Sequence, residues 1–205
     1  MIKVGDKLPS VKLKTRIQGD TKDLTTEDIF AGKKVALFGL PGAFTPTCSA
    51  KHLPGYVEHA DAIRAKGVDT IACLSVNDAF VMDAWGKDQK VGDKVMMLAD
   101  GSADFARAVG LELDLTANGM GVRIKRFSML VENGVVKTLN VEKPGAFEVS
   151  DAATILGQAS QGPESGMMCR RRGSPLAGLG AGGHSSGWPP VAFAGCLRRP
   201  CQFGK

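Results

Sequence analysis

The sequence predicts an α/β domain in which a mixed central sheet is flanked by helices and an N-terminal β-hairpin covers one edge. Three short apolar runs, at residues 35–40, 68–75 and 94–99, are each followed by a helix-like pattern. Such alternation is typical of buried strands separated by helices. Asn133-Gly134 then separates two further apolar runs, and this dipeptide is a strong hairpin signal. Residues 3–32 combine turn residues with short alternating runs, which favours the N-terminal hairpin.

After this hairpin, residues 25–30 begin with Thr25-Thr26-Glu27-Asp28, which is typical of a capped helical turn. The strand at residues 35–40 is then stopped by Pro41-Gly42. Thr45 can cap the next helix, and Pro46 suits its first position, where a missing N–H is harmless. Cys48 would lie in the first turn of that helix.

The remaining elements follow in order. The helix that starts at Pro46 should run to Lys66, be kinked by Pro54-Gly55 and end at Gly67. The later elements are a strand at 68–75, a helix capped by Asn77 or Asp78 and running to about Lys87, a strand at 94–99, a helix at 102–109, strands at 124–131 and 135–141, and a last helix capped by Ser150 or Asp151 and ending near Gln158. This is the layout of a thioredoxin-like domain.

Composition divides the 205 residues into a domain at 1–158 and a tail at 159–205. The tail holds ten glycines, five prolines and two arginine clusters without a persistent period, which is typical of disorder. Its six Lys and Arg and one Glu account for the net charge of +5, since residues 1–158 hold 20 basic and 20 acidic residues. A neutral domain gives no reason to expect a nucleic-acid or membrane-surface partner. A basic arm that binds anionic partners remains an alternative reading of the tail.

Targeting signals do not stand out in the sequence. Residues 1–6 lack a signal-peptide core and the Arg/Ser bias of a transit peptide, and no apolar run reaches eighteen residues. We therefore expect a cytoplasmic protein, although a mature organellar form would have the same sequence.

The cysteines and histidines show no pattern typical of disulfide frameworks or metal sites. The chain has five cysteines, an odd number, and no C-x-x-C, while its three histidines lack metal-ligand spacing. Among the cysteines, Cys48 has a special context, because the N–H groups and positive dipole end of a helix terminus stabilise a thiolate. Residue-level reasoning thus supports a reactive Cys48, a neighbouring Thr45 and the need for some cation.

Two separated motifs then identify a family resemblance. Pro41-x-x-x-Thr45-x-x-Cys48 resembles the active-site motif of the peroxiredoxins, and residues 39–49 look more narrowly like the peroxiredoxin-5, or type II, subfamily. Residues 123–129, RIKRFSM, are similar to a second signature of that subfamily. The resemblance spans about residues 2–158 and leaves the tail uncovered.

The resemblance implies a thiol-dependent peroxidase of thioredoxin-like fold that needs no cofactor and no metal. Cys48 would be the nucleophile that attacks hydrogen peroxide or an alkyl hydroperoxide. Thr45 would bond the sulfur and a peroxide oxygen, Arg126 would stabilise the thiolate and orient the peroxide, and Pro41 would shield the sulfur from water. Subfamily members often form dimers through loops near the active site, and Phe44 and Phe80 are apolar residues compatible with a homodimer.

The regeneration of the cysteine departs from part of the subfamily. Some members have a resolving cysteine near the end of the domain, but residues 141–158 contain none. We therefore expect a one-cysteine cycle with an external thiol, from glutathione and glutaredoxin or from thioredoxin. Cys73 lies within an apolar run and should be a buried, poor resolver. The tail cysteines that remain as alternatives are Cys169, Cys196 and Cys201.

Other functions use the same residues. A redox sensor would also need a reactive Cys48, and a thioredoxin-like oxidoreductase would need a cysteine where Thr45 stands. A Cys48–His52 pair for acyl transfer lacks an identifiable acid and oxyanion loop. We interpret His52 as a surface residue or a support for the site. We interpret Lys125 and Arg123 as solvated or ion-paired residues, and for Arg123 the alternative is a support for the site.

Overall fold

The computed structural model describes residues 1–160, which form an α/β domain with one seven-stranded sheet and one two-stranded sheet. The prediction of a disordered tail at 159–205 therefore concerns residues that, from position 161 onward, lie outside the described part of the chain. The elements are β1 (Lys12–Ile17), β2 (Asp20–Thr25), α1 (Thr26–Phe30), β3 (Lys34–Leu40), a π-helical turn (Cys48–His52), α2 (Leu53–Arg64), β4 (Thr70–Ser75), α3 (Ala79–Asp88), β5 (Met96–Ala99), α4 (Asp104–Val109), β6 (Glu112–Leu115), a 3₁₀ turn (Thr116–Asn118), β7 (Gly121–Ile124), β8 (Phe127–Glu132), β9 (Val135–Val141) and α5 (Ala152–Ala159).

The large sheet is mixed, as predicted. Its strand order is β2-β1-β5-β4-β3-β8-β9, with β3, β4 and β5 parallel to one another. The N-terminal hairpin lies at one edge, and the antiparallel β8–β9 hairpin lies at the other. This arrangement confirms the thioredoxin-like fold that the sequence predicts.

The central strand β3 is buried on both faces, which is why it reads as a continuous apolar run. On one face, Phe38 and Leu40 pack in a core that includes α2, α3 and α5. On the other, Val35 and Leu37 pack in a second core with α1 and α4. Each such buried side chain stabilises the folded state by about 1.5–3 kcal/mol relative to an exposed one. These contacts fix the end of β3, from which the loop leading to Cys48 begins.

The predicted hairpin and helix caps are present. Asn133 and Gly134 have φ angles of 48° and 76°, the left-handed conformations that a two-residue hairpin turn requires. Thr25 forms a capping box with Asp28, and the side chains of Asp78 and Asp151 cap α3 and α5. These are local signals, and each is satisfied locally.

The single strand predicted at 124–131 is wrong. The chain leaves the sheet at Lys125 and Arg126, so that β7 pairs with β6 in the small sheet and β8 pairs with β3. The strand β6 was not predicted from the sequence. Arg126 thus lies in a bend between two strands, directly before β8.

The predicted regular helix from Pro46 to Lys66 is also wrong in its first turns. A π-helical turn spans Cys48–His52, and the Leu53 N–H donates to the Cys48 carbonyl five residues back. Pro54 has no N–H, and in a regular helix its ring would clash with the carbonyl of Ala50. The wider turn removes that conflict and places the irregularity before Pro54 rather than at it.

Both edges of the large sheet are protected. Near β9, the Gly5 N–H donates to the Val136 carbonyl at 2.8 Å, and the Val136 N–H donates to the Asp6 carbonyl at 3.0 Å. The other edge strand, β2, is mostly exposed and mixes charges of both signs. In residues 1–160, no helix is long and apolar enough to cross a membrane.

Candidate active site

Cys48 lies just beyond the C-terminal end of β3, in the first turn of the following helix. The Ser49 N–H donates to the Thr45 carbonyl at 3.0 Å, so the helical pattern starts where the sequence indicates. Cys48 is fully buried and belongs to the core that contains Phe38 and Leu53. Arg126, whose guanidinium contacts the sulfur, and Thr45 in the preceding loop are only half-buried.

The structure brings Arg126 to this sulfur. Its Nη2 donates to the Cys48 Sγ at 3.3 Å, and its Nη1 donates to the His52 Nδ1 at 2.9 Å. Guanidinium is a permanently charged fork whose donors can serve two acceptors at once. The site therefore pairs a sulfur with a fixed positive charge.

His52 is the acceptor that holds the other arm of this fork. Its ring is fully buried, and Nε2 lies 3.1 Å from the Ser150 carbonyl, which can only accept. Nε2 therefore bears the proton, and Nδ1 offers its lone pair to Arg126. Burial and the Arg126 charge lower the pKa of His52 to about 3. The surface interpretation of His52 is wrong, and the supporting one fits, although the spacing alone did not identify Arg126 as the group that it supports.

The segment at 143–150 covers this pair. The centroids of the Phe147 and His52 rings are 5.0 Å apart. The Arg126 Cζ lies 5.6 Å from the centroid of the Phe147 ring. The Tyr56 hydroxyl donates to the Ser150 carbonyl at 3.0 Å. Phe147 and Ser150 were not predicted as site residues, because no neighbouring residue indicates that the segment folds back onto the site.

Thr45 and Pro41 lie in the loop between β3 and the helix. The Thr45 hydroxyl donates to the Gly42 carbonyl at 2.9 Å, so the predicted side-chain cap is wrong and the hydroxyl instead tightens the loop. The Ala43 N–H donates to the Asn77 Oδ1 at 3.0 Å, which ties the loop to the end of β4. Pro41 directly follows β3 and is half-buried. The hydroxyl oxygen of Thr45 still has lone pairs that can accept a hydrogen bond from a substrate.

Arg123 supports the site from outside. It is half-buried, and its Nε and Nη1 donate to the carbonyls of Met120 at 2.8 Å and Val76 at 3.1 Å. A Cβ placed on Gly42 would lie 3.5 Å from the Arg123 Nη1, so the guanidinium lies against the loop. The solvated or ion-paired interpretation of Arg123 is therefore wrong, and the supporting one fits.

Cys73 differs sharply from Cys48. It lies within β4, opposite Phe38 of β3, and is fully buried. Burial raises the pKa of its thiol well above the usual value, and nearby Cys48 adds to the effect. This environment suits the inert interpretation. Cys169, Cys196 and Cys201 lie outside the described residues. Among residues 1–160, no group of three or more His, Cys, Asp and Glu side chains could hold a metal ion.

Comparison with known proteins identifies the family. The Redoxin family model matches residues 3–156. Peroxiredoxin-2E, a chloroplastic protein of Arabidopsis thaliana, is 52% identical over 159 residues, which cover 76% of this chain and 68% of the relative.

Two solved structures are also similar. Reduced Prx3 from Vibrio vulnificus, crystallised with hydrogen peroxide, is 53% identical with a TM-score of 0.75, and the match covers 78% of this chain and 99% of that one. Peroxiredoxin 5 from Alvinella pompejana is 34% identical with a TM-score of 0.70, over 78% of this chain and 98% of that one. The type II, or peroxiredoxin-5, subfamily fits the names of these relatives. The chain therefore belongs to the peroxiredoxins of the Redoxin family and is a thiol-dependent peroxidase with a catalytic cysteine.

Proposed function

We propose that Cys48 is the catalytic cysteine and that Arg126 is its charge partner. The observation that supports this assignment best is the 3.3 Å contact between the Arg126 Nη2 and the Cys48 Sγ. The thiolate attacks one peroxide oxygen, a sulfur–oxygen bond forms, and the O–O bond breaks. The electron pair of that bond leaves with the second oxygen, which takes a proton and departs as water or an alcohol. The sulfur loses two electrons and becomes a sulfenic acid.

Thr45 and Pro41 complete the proposed site. The Thr45 hydroxyl donates to the Gly42 carbonyl, so its oxygen is oriented to accept the O–H of an incoming hydroperoxide. The Pro41 ring has no N–H and limits the access of water to the sulfur. The relative from Vibrio vulnificus was crystallised with hydrogen peroxide, which supports hydrogen peroxide as a substrate here, with small alkyl hydroperoxides as the wider class.

We further propose that an external thiol completes the cycle. One thiol condenses with the sulfenic acid to give a mixed disulfide and water, and a second thiol attacks that disulfide, which returns Cys48 and releases an oxidised dithiol. The burial of Cys73 and the lack of a cysteine at 141–158 support this scheme. Glutathione with glutaredoxin, or thioredoxin, would supply the thiols.

The test is steady-state consumption of hydrogen peroxide by the full chain with each reducing system. Cys48→Ser should abolish consumption, whereas Cys73→Ser and a variant with all three tail cysteines replaced should retain it. Activity in the Cys48→Ser variant would refute the assignment. Loss of turnover in either control would instead identify an internal resolving cysteine.

A homodimer is the proposed assembly. Phe44 and Phe80 are 55% and 63% exposed, and aromatic side chains are enriched at protein–protein interfaces. Sedimentation of the full chain should show a dimer that Phe44→Asp or Phe80→Asp weakens, with Val122→Asp as an exposed control. A monomeric wild-type protein would contradict the proposal.

The cytoplasm is the proposed location. Two relatives carry chloroplastic names, which supports a plastid as the alternative destination. Immunofluorescence of the native protein in its own cells distinguishes the two.

A further inference from the structure

Glu142 lies directly after β9 and bonds both the main chain of Arg126 and the segment that covers it. Its N–H donates to the Arg126 carbonyl at 2.9 Å. Its Oε1 accepts from the N–H groups of Glu148, Val149 and Ser150 at 2.7, 2.8 and 2.9 Å, and from the Ser150 hydroxyl at 2.9 Å. One carboxylate oxygen thus fixes three consecutive residues of the segment at 143–150.

These bonds form part of a closed ring that begins and ends at Arg126. Glu142 donates to the Arg126 carbonyl, and Ser150 donates to the Glu142 carboxylate. His52 donates to the Ser150 carbonyl, and the Arg126 guanidinium donates to His52. The main chain of Arg126 and its side chain are therefore held by the same circuit, and the free arm of the guanidinium points to the Cys48 sulfur.

The charges in this ring of hydrogen bonds suggest a reason for placing a neutral group, and not a carboxylate, next to the Arg126 guanidinium. A carboxylate bonded directly to the guanidinium would compete with a thiolate for the same donors. Among residues 1–160, none of the ion pairs involves Arg126. Its immediate acceptor is the neutral His52 ring, and the negative charge of Glu142 acts one step further away, through Ser150. The arrangement orients the guanidinium without neutralising it.

We propose that Glu142 is a positioning residue of the peroxide reaction. It clamps the segment at 143–150 so that Ser150 sets the His52 tautomer, and His52 then holds Arg126 with one arm on the Cys48 sulfur. This inference rests on the proposed roles of Cys48 and Arg126. It assigns to Glu142 an effect on the reaction rate that acts through Arg126 alone.

A matched carboxylate elsewhere in the fold separates this role from simple loop clamping. Asp100 is also buried and accepts from the N–H groups of Phe105 at 3.1 Å and Ala106 at 2.9 Å, which holds the start of α4. The residues that it clamps, Phe105 and Ala106, belong to the core on the other face of the sheet from Cys48. Asp100→Leu, the match for Glu142→Leu, should therefore lower stability and leave the rate of Cys48 oxidation unchanged.

The experiment measures the second-order rate of oxidation of the reduced full chain by hydrogen peroxide in stopped flow. Glu142→Leu should slow the reaction about ten- to a hundred-fold, as expected for a small displacement of a catalytic group. Glu142→Gln retains an oxygen that can accept from the same donors and should stay within about threefold of the wild type. An unchanged rate in Glu142→Leu would overturn the proposal.

A double-mutant cycle with Arg126→Met tests the route. Because Glu142 is proposed to act through Arg126, Glu142→Leu should add no further loss to the Arg126→Met variant. An equal additional loss in that background would refute the positioning role. If Arg126→Met itself retains the wild-type rate, the proposed role of Arg126 fails, which is a result distinct from the failure of Glu142.

A second variant keeps the test decisive if Glu142→Leu does not fold. Glu142→Asp preserves the charge but withdraws the accepting oxygen by one methylene group. It should be slower than Glu142→Gln, although Gln lacks the charge. The opposite order would show that charge rather than position is what the site requires, and would overturn the proposal.

Discussion

At the scale of single residues, the arms of the Arg126 guanidinium are divided between two acceptors. One Nη donates to the Cys48 sulfur and the other to His52. A lysine ammonium could reach one of these acceptors as a point charge, but it has no planar fork to fix the angle between them. The geometry of the group, as well as its charge, therefore belongs to the site.

The first prediction follows for Arg126→Lys. Retaining the charge while losing the fork should lower the rate of oxidation by hydrogen peroxide about tenfold or more. Stopped-flow kinetics of the reduced full chain would measure it. Arg107→Lys, an exchange on an exposed surface of α4, is the matched control and should be neutral. An Arg126→Lys variant as fast as the wild type would show that charge alone suffices.

The second prediction concerns pH and His52. Its pKa is about 3 in the folded chain against 6.5 as the ordinary value. Above pH 6.5 the ring is neutral in both states, and as pH falls toward 3 the unfolded chain takes up a proton that the folded chain refuses. The free energy of unfolding should therefore fall by up to about 1.4 kcal/mol for each pH unit in this window, from this group.

Denaturant titrations between pH 7 and 4.5 would measure the effect. His52→Gln, which has a donor and an acceptor but does not titrate, should lose less stability over this range than the wild type. His59→Gln, in the following helix α2, is the control for the loss of a different histidine. Parallel slopes for the wild type and His52→Gln would refute a buried neutral ring.

At this scale, the site residues that could be predicted from the sequence are those that belong to short motifs. Cys48 and Thr45 lie in one local segment, and Arg126 stands in a second signature, so pattern alone could name them. His52 was visible only as a histidine four positions after Cys48. Its partner Ser150 is 98 residues away along the chain, and no local rule states that the two will meet.

At the scale of elements, β3 and β8 approach so closely that one position of β3 has room only for glycine. Gly39 faces Phe127 in the antiparallel register. A Cβ at Gly39 would lie 2.1 Å from the Phe127 Cε1, which is far inside normal contact. The ring of Phe127 thus occupies the space that any other residue at 39 would need, directly beside the bend that holds Arg126.

The third prediction is that Gly39→Ala destabilises the domain by about 1–3 kcal/mol through overpacking. Chemical denaturation would measure it. Gly157 in α5 is the matched control, because a Cβ added there would meet no other atom within 4 Å and alanine in a helix is favoured by up to about 1 kcal/mol. Equal effects of the two substitutions would contradict the packing argument.

Elements with local signals were predictable, and those that depend on distant partners were not. Asn133-Gly134 and the helix caps act within a few residues, so their structures could be expected from the sequence. The small sheet of β6 and β7 needs two weak four-residue strands to find each other. The π-helical turn reflects a conflict between Pro54 and the carbonyl of Ala50, which a residue-by-residue propensity does not register.

At the scale of the whole molecule, residues 1–160 contain two cores, one on each face of the large sheet. The last helix completes one of them, since Ile155 and Ala159 are buried there. The Lys34 Nζ also donates to the Ala159 carbonyl at 3.2 Å. The alternation of strands and helices indicates the architecture, but the order β2-β1-β5-β4-β3-β8-β9 arises from long-range packing.

The fourth prediction is that a chain ending after Ser160 retains the thermal midpoint and the peroxide turnover of the full chain. The cores and the proposed site are built from residues before that point, and the Redoxin match ends at residue 156. Calorimetry and the steady-state assay would measure both properties. Loss of either would assign a structural or catalytic part to residues 161–205.

The protected edges of the large sheet limit how two copies can meet. An open edge is a template for intermolecular strand addition. Here the start of β9 is already bonded to residues 5 and 6 of the same chain, and β2 carries the charged side chains Asp20, Lys22 and Asp23, which oppose strand addition at an edge. Strand addition between copies of the chain is therefore disfavoured. Two copies would have to associate through side-chain contacts instead of backbone hydrogen bonds.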